Sequence, residues 1–237
     1  MKKLLITTLL VSGISIFSQS ASAANSNLLF GGYSFGEDNS YTYFGGAKAL
    51  NGDLEKDGAL LRVGGGYGQY NYATPEASFG NNVRGEVSSA DLMLGYNHHF
   101  TQGAVTLFAG GNYDNYKLNR GDNSNRVTGG KPGGKVQLEA LFEPIKQISI
   151  INISNYTSVF NAYWSQTTIG YNFVNFTFGP EITFLGNRVF NQQKFGGRIS
   201  NIKLGIVNLY ISGGFLKSSG LAGDEGAYTA IGFASKF

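Results

Sequence analysis

The chain has 237 residues with no cysteine, 35 glycines, 14% aromatics, only 4 prolines and a formal charge of +3. The absent cysteine excludes disulfides, thiolate catalysis and Cys-ligated metal sites. So small a charge gives no case for nucleic acid as a partner, and glycine with aromatics at low proline suits many continuous strands.

Met1-Lys2-Lys3 is a charged n-region, Leu4 to Phe17 an apolar stretch too short to span a bilayer comfortably, and Ala21-Ser22-Ala23 an A-x-A site. Together they predict a secretory signal peptide over residues 1–23, cleaved to leave a mature barrel domain over 24–237; the alternative is an uncleaved anchor. Loss of Lys2 and Lys3 would bring the charge close to neutral. No later stretch approaches the roughly 20 apolar residues of a membrane helix. A membrane location would therefore require a closed barrel.

Alternation of period two, bounded by Gly, Asn, Asp or short polar runs, predicts strands at 27–36, 41–50, 58–70, 86–100, 103–116, 133–143, 146–157, 161–173, 174–185, 190–202, 205–217 and 226–237. The fold class is all-β: a transmembrane antiparallel up-and-down barrel of about twelve strands with periplasmic termini. Periplasmic turns are then expected at 51–57, 101–102, 144–145, 173–174 and 203–204. External connections are expected at 37–40, 71–84, 117–132, 158–160, 186–189 and 218–225. The three longest connections fall outside, as in bacterial barrels, and only 51–57 is long for a periplasmic turn.

Parity assigns Leu61, Val63, Tyr67, Leu92, Leu94, Tyr96, Val105, Leu107, Val136, Leu138, Phe142, Ile169, Tyr171, Phe173, Phe176, Phe178, Ile182, Phe184, Val207, Leu209 and Ile211 to lipid. Arg62, Asp91, Lys135, Gln137, Glu139, Gln166, Glu181 and Arg198 fall on the lumen side. The strand with Ile148, Ile150, Ile151 and Ile153 has no readable parity. The last strand sends Thr229, Ile231, Phe233, Ser235 and Phe237 to one face and Tyr228, Ala230, Gly232, Ala234 and Lys236 to the other. Its terminal Phe237 resembles the signal by which barrel-assembly machinery recognises clients.

Among motifs, His98 and His99 are the only histidines and close a descending strand at the periplasmic rim. A barrel lipase would need its histidine near the outer leaflet, so an interfacial pair is expected instead. Gly129 to Lys135 nearly spells a phosphate loop, but Val136 stands where Ser or Thr is required and no helix follows, so it reads as a glycine-rich external loop. Trp164, the sole tryptophan, shares its face with Gln166, Thr168, Gly170 and Asn172. Inward near the external mouth it could stack on a glucan ring; outward, it would belong to the interfacial belt. The sequons at Asn152, Asn155 and Asn175 lie in predicted strands and carry no glycan argument. A charge facing lipid at mid-strand costs about 2–4 kcal/mol for Arg. Arg62, Asp91, Glu139, Glu181 and Arg198 are therefore expected to form a lumen charge network, with at least one Arg–carboxylate pair bridging the interior as a plug. No metal, cofactor or catalytic residue is expected.

Leu50-Asn-Gly-Asp-Leu-Glu-Lys-Asp-Gly58, Leu61-Arg-Val-Gly-Gly-Gly-Tyr-Gly68, Ala90-Asp-Leu-Met-Leu-Gly-Tyr96, Ala162-Tyr-Trp-Ser165 and Phe178-Gly-Pro-Glu181 occur in this order. Gly186-Asn187, Gln192-Gln193, Gly226-Ala-Tyr228 and the terminal Phe237 follow. The ordered set resembles the cellulose biosynthesis protein BcsS family of bacterial outer-membrane proteins. That resemblance implies a non-enzymatic accessory of cellulose or related exopolysaccharide export, working beside the secretion machinery and in contact with a glucan chain. It also implies an outer-membrane location amid lipid and lipopolysaccharide. A general or oligosaccharide-specific porin is the rival reading, and a lipid-modifying barrel enzyme a weaker third.

Overall fold

A computed structural model describes residues 25–74, 82–220 and 225–237; the expected signal peptide lies outside the described residues. Twelve strands follow in order: β1 (Asn27–Gly36), β2 (Asn39–Ala49), β3 (Gly58–Ala73), β4 (Asn82–Phe100), β5 (Gly103–Leu118), β6 (Gly129–Ile145), β7 (Ile148–Thr157), β8 (Ala162–Asn172), β9 (Thr177–Gly186), β10 (Phe190–Leu204), β11 (Val207–Gly220) and β12 (Glu225–Lys236). Each pairs antiparallel with its sequence neighbours, and β12 closes on β1 from Leu28↔Lys236 to Gly36↔Tyr228. Closure leaves no free edge, the condition for a sheet in hydrocarbon. Both termini lie at one end, the terminal end; the opposite, loop end carries the connection at 119–128 and the 3₁₀ turn Val159–Asn161.

Strand boundaries shift by up to four residues from the sequence reading, and one shift changes what a segment is. β5 runs on to Leu118 and β6 begins at Gly129, so the glycine-rich stretch is strand rather than loop, with Pro132 opposite Tyr113. Two of its four glycines admit neighbours: the Tyr113 hydroxyl occupies the space a Gly130 side chain would take, and Val159 with Ser158 does the same at Gly133. Turn-forming composition was therefore close-packing composition.

The outward positions are apolar and open, with Leu92, Leu94 and Leu107 each more than half exposed. On β7 the unreadable parity resolves, Ser149, Ile153 and Thr157 being buried on the inward side. Asn152 and Ser154 alternate outward and meet Ser165 and Thr167 of β8. Asn152 Nδ2 donates to Thr167 Oγ1 at 2.9 Å, Ser154 Oγ to Asn152 Oδ1 at 3.0 Å, and the two serine hydroxyls lie 2.8 Å apart. This quartet satisfies itself, which is what a lipid-facing polar group requires.

The main core lies inside the barrel, at the terminal end. Leu28 and Phe30 (β1), Ala47 and Ala49 (β2), Leu60 (β3), Met93 (β4), Phe108 (β5), Ile153 (β7) and Ala234 (β12) form one buried cluster. β1 and β7 are six strands apart in a ring of twelve, so the cluster spans the lumen. Leu54, from the connection between β2 and β3, completes it. Each such large side chain contributes about 1.5–3 kcal/mol by leaving water. A smaller cluster of Val127, Val159 and Phe160, with Tyr116 and Val189 packed on it, sits at the loop end.

Candidate functional site

Above the apolar core the lumen widens into a cavity of about 370 Å³ that reaches the loop-end rim at Glu37, Asp38 and Glu225. A second, smaller void of about 60 Å³ lies within the core below. Phe30, Arg62 and Ile153 line both and form the floor between them. The cavity is thus a cup, blind toward the terminal end.

Arg62 and Asp91 meet at this floor, Nη1 to Oδ1 at 3.0 Å, and Lys135 Nζ donates to the other Asp91 oxygen at 2.6 Å. The Arg62 guanidinium lies 5.0 Å from the Phe30 ring centre and 5.9 Å from that of Phe108. On the far wall, Arg198 Nη1 reaches Glu181 Oε2 at 3.0 Å and Gln166 Oε1 at 3.2 Å. Tyr228 donates to Glu181 Oε1 at 3.3 Å, and Arg198 stacks 3.7 Å from the Tyr210 ring centre. Since β4 and β10 are also six strands apart, the two clusters occupy opposite walls.

The expected Arg–carboxylate bridge across the interior is corrected by this geometry. Asp91 pairs in register with Gly64, and Glu181 with Gly196, so each arginine takes the diagonal neighbour on the adjacent strand. Same-face diagonals lie within reach of a long side chain, whereas the opposite wall does not. What crosses the lumen is apolar packing. Glu139 faces the lower void and accepts from Gln137 Nε2 at 2.6 Å.

Trp164 faces inward, lines the cup and packs against the core. Tyr43 of β2 does the same from the opposite wall, with Tyr41 one step nearer the rim and 6.5 Å from it between ring centres. Asp114, Asn112 and Lys194 also line the cup. Asn112 donates to Asp114 at 2.9 Å and accepts from Thr157 at 2.8 Å; Lys194 reaches Ser34 Oγ at 3.4 Å and the Tyr228 ring at 5.3 Å. Sequence reasoning missed Tyr41, Tyr43, Asp114 and Lys194. Period-two alternation nevertheless puts each of them on the inward side of its strand.

At the terminal end the long 50–57 connection has a structural purpose. Leu54 inserts under the barrel; its N–H donates to Asn25 O at 2.9 Å, and its carbonyl accepts from Asn97 at 3.2 Å. Glu55 pairs with Lys236 of the final strand. Asp57 clasps the histidine pair: Oδ1 accepts the His99 backbone N–H at 2.6 Å, and Oδ2 lies 2.8 Å from His98 Nδ1. The His99 N–H first, and the His98 ring after it, hold the Asp57 carboxyl below the usual aspartate range. Both histidines are thus engaged at the rim, away from the cup.

At the loop end Asp122 accepts from Tyr72 at 2.7 Å and from Ser124 Oγ at 2.6 Å, and Asn125 donates to the Tyr72 hydroxyl at 2.9 Å. These contacts tie the 119–128 connection to the β3 wall and bring Asn125 and Val127 to the cup lining. Among the described residues no cluster of His, Asp or Glu is arranged to hold a metal ion.

Residues 28–237 match the family described as "Cellulose biosynthesis protein BcsS". Among solved structures, LpxR from Salmonella typhimurium superposes with a TM-score of 0.51 at 11% identity, covering 90% of this chain and 100% of that one. A KdgM porin gives 0.45 at 11% identity, covering 89% and 99%. At such identity the first likeness shows a shared barrel fold and nothing of activity. No curated protein matches the chain.

Proposed function

We propose, because the chain belongs to the cellulose biosynthesis protein BcsS family, that it is a non-enzymatic outer-membrane accessory to cellulose or related exopolysaccharide production. In this reading residues 1–23 are a cleaved export signal, and the strand ending at Phe237 is presented to the barrel-assembly machinery. The apolar outer belt sits in outer-membrane lipid and lipopolysaccharide, with the terminal end periplasmic and the cup outside. The protein then works beside the secretion machinery and does not itself conduct the polymer.

The observation that carries this reading is the apolar cluster joining β1 to β7 beneath the cup. A porin needs a continuous wet path, and this lumen is filled at one end by side chains packed as in a soluble core. The engagement of His98 and His99 by Asp57 at the terminal end weighs against a lipid-modifying enzyme.

Deleting the gene should reduce cellulose-dependent pellicle formation and dye binding without altering growth, and the purified protein should leave a planar bilayer closed. Unchanged cellulose output in a strain that makes it, or stable channels of porin size, would overturn the reading.

A further inference from the structure

The walls of the cup are not alike. Among the aromatic residues that line it, Tyr41 and Tyr43 on β2 stand opposite Trp164 on β8, six strands apart in the ring of twelve, while Tyr70, Tyr72, Tyr116 and Phe190 line it nearer the loop end. The walls between them carry the charged and amide groups. On one side Asp91, Asp114 and Lys135 project from β4, β5 and β6; on the other, Gln192 and Lys194 project from β10. Asp114 has an Asn112 amide as its hydrogen-bond partner and Lys194 a serine hydroxyl, so neither ion is matched to an opposite charge at contact distance.

A β-linked glucopyranose has the complementary anisotropy. Its ring faces carry axial C–H bonds, which favour the electron-rich face of an aromatic ring. Its hydroxyls are equatorial and leave through the edges, where carboxylate, amide and ammonium groups can bond to them. Aromatic faces opposed across the lumen, with charged and amide groups on the walls between them, fit such a ring. The volume of about 370 Å³ falls in the range of small-ligand pockets, about 300–1,000 Å³. Because the floor of Phe30, Arg62 and Ile153 is closed, a chain can enter only by its end.

We infer that the cup is a binding site for the terminus of a neutral β-1,4-glucan, its last sugars held between Trp164 and the Tyr41–Tyr43 wall, with Asp114 and Lys194 at the ring edges. The choice of β-glucan over other flat saccharides rests on the function proposed above; the arrangement of the walls does not. The site thus captures an end and threads nothing.

Trp164 is the only tryptophan, so its fluorescence in the intact protein in detergent reports directly on the cup. Cellotetraose should shift that emission saturably, and calorimetry should give the same affinity. Maltotetraose, whose α-linkages curl the chain, should bind at least about tenfold more weakly. Tyr41→Ala and Asp114→Asn should each weaken cellotetraose about tenfold while the heat-modifiable gel shift, which reports the folded barrel, stays intact. Absence of binding by both methods in the folded protein would overturn the inference, as would equal affinity for maltotetraose or affinity unchanged in both variants. If gene deletion lowers cellulose output but cellotetraose does not bind, this inference fails and the proposed function stands. If cellotetraose binds but deletion changes nothing, the site stands and the proposed function fails.

Discussion

At the terminal end the inward positions of the first five strands include Leu28, Phe30, Ala47, Leu60, Met93 and Phe108; toward the loop end of the same strands they include Ser34, Tyr41, Gly64, Asp91 and Asp114. The backbone hydrogen bonding is continuous through both halves, so the sheet itself does not distinguish them. Side-chain volume and polarity do. The lower half is filled across its diameter by side chains, with only the void of about 60 Å³ left among them. The upper half spends similar space on glycines and on paired polar groups that hold one another against the wall, leaving a cup. Strand number therefore does not decide whether a barrel of this width conducts.

The largest test of that contrast is Phe30→Ala. Removing a ring that is 1% exposed and spans the floor should cost about 3–5 kcal/mol. It should also join the two voids, and bilayer recordings should show new openings. Tyr41→Ala, in the cup, should leave the bilayer closed. Conductance from Tyr41→Ala but not from Phe30→Ala would place the seal in the upper half and invert the comparison.

Glu181→Ala probes the wall opposite Asp91. The Arg198–Glu181 side chains are only 4% and 1% exposed, and removing the carboxylate that neutralises that buried guanidinium should cost about 3–5 kcal/mol without opening the lumen. The temperature at which the folded band converts to the unfolded band on a gel should fall, with Glu181→Gln falling less. A variant as stable as the parent would show the pair to be dispensable beside the apolar core.

The smallest effect is the acid dependence of the terminal-end clasp. Asp57 is held below its ordinary range by the His99 N–H and the His98 ring. Its contribution is therefore complete above about pH 4, where a free aspartate titrates. It is lost as the pH falls through the depressed folded value. Stability should be flat in this respect from pH 5 to pH 8, given as rough bounds, and decline below. Asp57→Asn should remove the acid-side decline while leaving the core untouched. A decline of equal size in Asp57→Asn would assign it to other carboxylates.

Much of the architecture was legible because a barrel strand has two solvents. Lipid selects Leu92, Leu94 and Leu107 on one face, and the cost of a charge in hydrocarbon sends Arg62, Asp91, Glu181 and Arg198 to the other. β7 was illegible because it breaks that rule in both directions: Ile151 and Ile153 face the lumen, and Asn152 with Ser154 faces outward in a self-satisfied quartet. The glycines of 129–134 misled because glycine serves both a turn and the close approach of Tyr113 and Val159.

By itself, then, the sequence determined, outside β7, which side of the sheet the assigned mid-strand charges and aliphatic residues occupy, since alternation and transfer free energy are local properties of a strand. Who meets whom inside the ring was decided by the tertiary structure. Closure of β12 on β1 sets which strands stand opposite, and only then do Phe30 and Ile153 meet as a floor while Tyr43 and Trp164 face each other above it. The register between adjacent strands brought each arginine its carboxylate from the same wall, within a diagonal's reach, before the far wall could compete.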